Sequence, residues 1–98
     1  MSESEHRAPL PPATLEFLVA SLRLQAEMSL GIFKMSDEDK VDLDAARHFI
    51  DLLAMLDEKT RGNLTLEEKR LLENSLTELR FRFVQAAGEA SKSTIITP

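Results

Sequence analysis

The stretch from Asp42 to Arg61 constrains the fold most. Its apolar residues form two stripes, Ala46/Ile50/Leu53 and Ala45/Phe49/Leu52/Leu56, each with the alternating three-and-four spacing of a packed helix. At about 100° per residue the stripes lie side by side, while Asp44, Arg47, His48, Asp51, Glu58 and Lys59 share one arc of about 120°. A helix with so wide an apolar face needs more than one neighbour.

Two further segments repeat the helical period. Between Pro12 and Leu30, Leu15/Val19/Leu22/Ala26 fall on one side and Phe17/Leu24/Met28 nearly opposite, separated by Glu16, Arg23 and Glu27. After Thr65 comes one clear stripe, Leu72/Leu76/Leu79/Phe83/Ala86, with Leu71, Phe81 and Val84 outside it. Every strong apolar pattern being helical, the chain is expected to be all-α, with three helices near 12–30, 42–61 and 66–87.

Local signals set the boundaries. Pro9, Pro11 and Pro12 block regular structure until a helix begins with proline in its first turn, and Gly31, Gly62 and Gly88 each follow a periodic run as a stop. Asp42 is a good N-cap, and Thr65 with Glu68 three residues on matches a capping box. Gly62 reads as a left-handed cap, and the short joint after it makes helices 2 and 3 an antiparallel αα-hairpin. Residues 11–88 are therefore expected to be a single helical domain, with an acidic linker from Ile32 to Val41. Residues 1–10 and 89–98 are expected to be a disordered arm and tail.

A chain of 98 residues buries a thin core, and with no cysteine it has no disulfide to supplement it. Self-association remains, and it is expected to complete a helical bundle by covering the second stripes of helices 1 and 2. Phe17, Leu24, Met28, Phe49, Leu52 and Leu56 are the expected interface. The competing arrangement folds helix 1 across the hairpin within one chain. The net charge of −5 argues mildly against a phosphate-backbone binder. No run approaches a membrane span, and the start Met1-Ser2-Glu3-Ser4-Glu5 is unlike a signal peptide, so a cytoplasmic location is expected.

Few residues suggest chemistry. Asp44, His48 and Asp51 share one helical face, the raw material of a metal site, but lack the paired Glu-x-x-His arrangement of helical di-iron proteins; a solvated stripe is the expected reading. Asp37-Glu38-Asp39 with Asp42 and Asp44 lacks the glycine and terminal glutamate of a calcium loop. Lys59, Arg61, Lys69 and Arg70 make the hairpin tip locally basic, interspersed with Glu58, Glu67, Glu68 and Glu73 and without tyrosine or tryptophan to stack on a base. No nucleophile elbow or phosphate loop occurs, and neither an enzyme nor a cofactor is expected.

The text Ala46-Arg47-His48-Phe49-Ile50-Asp51-Leu52-Leu53-Ala54-Met55-Leu56, then Lys59-Thr60-Arg61-Gly62-Asn63-Leu64-Thr65, then Leu71-Leu72 and Leu79-Arg80-Phe81, resembles a small bacterial family known as domain of unknown function 1844. Helix 1, from Leu10-Pro11-Pro12 to Leu30-Gly31, fits the same family, so the likeness spans roughly residues 10 to 87. It implies a short bacterial cytosolic protein and brings no activity, cofactor or catalytic residue. The expected function is that of a non-enzymatic oligomerisation or adaptor protein, partnered by itself and by another protein. A nucleic-acid-associated regulator and a divalent-metal binder are the alternatives.

Overall fold

The computed structural model describes residues 9–33 and 40–95, with side chains to Ser91. All regular structure among them is helical: α1 spans Leu15–Ser29, α2 Leu43–Lys59 and α3 Leu66–Ile95. Each helix packs against both others. The expected arm up to residue 8, and Asp37-Glu38-Asp39 of the linker, lie outside the described residues.

Capping explains where the helices start. Thr14, rather than Pro12, begins α1: its Oγ1 accepts from the Phe17 N–H at 3.1 Å, which proline cannot provide. Asp42 accepts from the Ala45 N–H at 3.0 Å. At α3 both arms of the capping box are closed, Glu68 N–H to Thr65 Oγ1 at 3.1 Å and Thr65 N–H to Glu68 Oε1 at 2.8 Å.

Two of the three glycines end helices. After α1, Gly31 (φ +79°) lets the Ile32 N–H bond Glu27 O and its own N–H bond Met28 O, both at 3.0 Å, closing a Schellman motif. Gly62 (φ +84°) turns the hairpin. Gly88 instead continues α3, which runs to Ile95. The expected stop there is corrected, because Ala86, Ala87, Glu89 and Ala90 around it are strong helix formers that outweigh the roughly 1 kcal/mol cost of one glycine. With 30 residues against 17, α3 overruns α2 by roughly 20 Å.

The Asp42 N–H bonds Ser29 O at 2.8 Å, so α2 begins where α1 ends. α1 thereby folds back over the hairpin and closes a core of Val19, Ala26, Leu30, Ala46, Ile50, Leu53, Leu72, Leu76 and Leu79. Ile50 and Leu53 from the first stripe of helix 2, and Leu72 and Leu79 from the stripe of helix 3, are all buried.

Candidate functional site

The α1 helix buries one face and exposes another just as apolar. Val19 and Ala26 lie in the core, whereas Phe17, Leu24 and Met28, about 180° round the helix, are 49%, 47% and 59% exposed. Ser21 completes the outer stripe at spacing four, three, four. Its hydroxyl donates to Phe17 O at 2.9 Å, so it carries no unmet hydrogen-bonding demand that would resist burial.

The corresponding stripe of α2 is occupied differently. Phe49, Leu52 and Leu56 are half-buried, and Phe49 and Leu56 pack against the core. The six expected interface residues therefore divide: Phe49 and Leu56 of α2 pack within the chain, whereas Phe17, Leu24 and Met28 of α1 stay open, as do Phe81 and Val84 of α3 at 63% and 68% exposure.

A polar joint that sequence spacing did not single out locks α1 to α3. Arg23, half-buried, pairs with Glu27 at 3.1 Å and with Glu78 across the interface, and its Nη1 donates to Ser75 Oγ at 3.4 Å. Ser75 is fully buried. Arg82 adds a second cation beside Glu78 at 3.5 Å. Hydrogen bonding and charge from Arg23 hold the Glu78 carboxyl below its ordinary range, with Arg82 reinforcing and desolvation opposing. For Arg23, burial disfavours the charge, but Glu27 and Glu78 outweigh it and raise its pKa. Ser75 sits inside the apolar stripe of α3, a small polar residue between Leu72 and Leu79; that break in the pattern was the available signal.

The other candidates stay dispersed. Asp44, His48 and Asp51 are exposed on α2, the His48 ring meeting Phe49 edge-on at 5.4 Å between centroids. No three His, Cys, Asp or Glu side chains among the described residues are grouped to hold a metal ion. At the hairpin tip, Arg61 and Lys69 share a shallow groove with Asp57 and Glu73, so its cations are interleaved with carboxylates. A groove of about 560 Å³ lies between the corner residues Leu30, Val41 and Leu43 and the overhanging Ala86 and Ala90 of α3. A smaller one, lined by Ile50, Phe83 and Val84 with Arg47, Asp51 and Arg80, opens between α2 and α3. None of the described helices is long and apolar enough to cross a membrane.

The architecture is that of a three-helix protein built on an αα-hairpin. The chain belongs to the family described as Domain of unknown function (DUF1844), whose model matches residues 12–85. The match takes in α1, α2, the Gly62 turn and α3 as far as Gln85. Neither a curated protein nor a solved structure matches the chain.

Proposed function

We propose that this chain is a small, cytoplasmic, non-enzymatic oligomerisation or adaptor protein that works by presenting helical faces, first to another copy of itself. The observation that carries the reading is the doubly apolar α1, which buries Val19 and Ala26 while leaving Phe17, Leu24 and Met28 to solvent. Contiguous exposed apolar side chains on a water-soluble surface mark interaction sites. The organised polar groups, by contrast, serve structure: Thr14, Asp42, Thr65 and Glu68 cap helices, and Arg23, Ser75 and Glu78 hold α1 on the hairpin.

The adaptor half of the reading draws on the α2–α3 groove. Its apolar floor and its mixed rim of Arg47, Arg80 and Asp51 suit an amphipathic segment of a partner protein. No cofactor enters this reading.

Leu24→Glu tests it. A carboxylate in the centre of the outer stripe lies away from the intrachain core, so helicity should change little while sedimentation shifts from an associated to a single-chain species and melting loses its dependence on protein concentration. Equal sedimentation of wild type and variant across the micromolar range would contradict the proposal.

A further inference from the structure

We propose that the Arg23–Ser75–Glu78 joint is an orientation device: it decides which of the two apolar faces of α1 is turned to the hairpin, and so keeps Phe17, Leu24 and Met28 on display. The device stands on the geometry of the joint, whatever the displayed face binds.

Apolar burial alone chooses poorly between the two faces. Leu15, Val19, Leu22 and Ala26 go in, while Phe17, Leu24 and Met28, with no less apolar side chain between them, stay out. Burial scales with apolar area, so rotating α1 by half a turn would exchange the faces at comparable gain. The inner face carries the smaller residues, but α1 has solvent behind it and can meet a bulkier face by standing further off. Besides the joint, the corner bond from Asp42 N–H to Ser29 O restrains only the last turn.

The flanks of α1, unlike its faces, are not interchangeable. Its three charged residues, Glu16, Arg23 and Glu27, fall within an arc of about 40° on one flank, and the opposite flank holds Leu18, Ser21 and Gln25. α3 answers the charged flank with its own ions: Glu27, Arg23, Glu78 and Arg82 form a row of alternating charge across the two helices. Ser75, fully buried beside that row, accepts from Arg23 Nη1 at 3.4 Å. Half a turn of α1 carries Arg23 away and brings Gln25 toward its place, which takes this donor from a buried hydroxyl and Arg23 from Glu78. A buried polar group satisfied in one arrangement alone specifies that arrangement over its apolar equivalents. A leucine at position 75 would extend the α3 stripe and accept either face; serine accepts one.

Moving the guanidinium to the other flank tests the device. Arg23→Gln combined with Gln25→Arg does so without altering composition or net charge, and the absence of native cysteine lets single thiols report which face is in. Ala26→Cys marks the inner face and Ser21→Cys the outer, each keeping every large apolar side chain. With the native joint, a maleimide should label Ser21→Cys quickly and Ala26→Cys slowly. In the exchanged background the order should invert, Ala26→Cys gaining at least about ten-fold and Ser21→Cys slowing, with the circular dichroism spectrum unchanged. The inversion should hold on dilution, since a turn within one chain is independent of concentration.

Wild-type labelling order in the exchanged background would mean that packing, not the joint, chooses the face, and would overturn the proposal. A rise at both thiols, the mark of an α1 merely loosened, would overturn it equally. Should the exchanged chain lose its helicity, Arg23→Gln alone decides: the proposal expects faster labelling of Ala26→Cys with slower labelling of Ser21→Cys, and unchanged rates would overturn it. None of these outcomes alters the mass of the wild type, so self-association stands or falls separately.

Discussion

Substituting the three glycines one at a time separates backbone strain, steric contact and helix propensity. Gly62 holds φ +84°, and a Cβ built there meets no atom within 4 Å, so its substitution reads the backbone term alone. A side chain in the left-handed region costs about 1–2 kcal/mol, less the few tenths regained by restricting the unfolded chain. Gly62→Ala should thus lose about 1 kcal/mol and Gly62→Val, β-branched, about 2 kcal/mol. For a domain of this size that lowers the melting temperature by roughly 4–8 °C and twice that, respectively, at fixed protein concentration. Gly31→Ala should cost more than Gly62→Ala, because its Cβ would also stand 3.1 Å from Val41 Cγ2 beside the α1–α2 corner. Gly88→Ala should act in the opposite sense, adding about 1 kcal/mol to helix formation in the overhang. That gain should show as increased ellipticity and slower amide exchange near residue 88 more than as a higher global melting point. Thermal melts followed by circular dichroism decide the set. Wild-type melting of Gly62→Val, or lost helicity in Gly88→Ala, would refute the assignment of these glycines.

Leu53→Ala and Leu79→Ala, each removing a fully buried side chain, should cost about 2–5 kcal/mol in urea unfolding, whereas Leu66→Ala, largely exposed, should cost little. Thr65→Ala removes one arm of the capping box and should lose about 1 kcal/mol by the same assay. Because the Glu78 pKa is lowered in the folded chain, its contribution is fully present above the unfolded value near 4.5 and is lost as pH falls through the folded value. Stability measured from neutral pH downward should drop in that acidic window, and Glu78→Gln should both lower the neutral-pH plateau and flatten the drop.

Much of the fold was legible because local and global signals agree. Asp42, Thr65 with Glu68, and Gly62 are read from neighbours within four residues, and those short-range rules are the ones the structure obeys. Gly88 shows where such rules stop. Gly31 and Gly62 are followed by Ile32 and Asn63, which suit an ending, while Gly88 sits among alanines and Glu89, and tolerance won. The outer stripe of α1 was visible as a face without an intrachain use, but the matching stripe of α2 was not separable from it by periodicity. Which neighbour covers Phe49 and Leu56 depends on the corner fixed by the Asp42–Ser29 hydrogen bond, a contact no spacing rule encodes. The Arg23–Ser75–Glu78 joint spans more than fifty residues of chain, and its partners look like ordinary surface polar residues until α1 and α3 are brought together.

The central claim is that the outer face of α1 binds a second copy of the chain, and the mass of the wild-type protein in solution tests it most directly. Light scattering coupled to size-exclusion chromatography, over a concentration series through the micromolar range, should give a species of twice the chain mass of 11.0 kDa that dissociates on dilution. A mass of one chain at every concentration, with the helical spectrum intact, would contradict it.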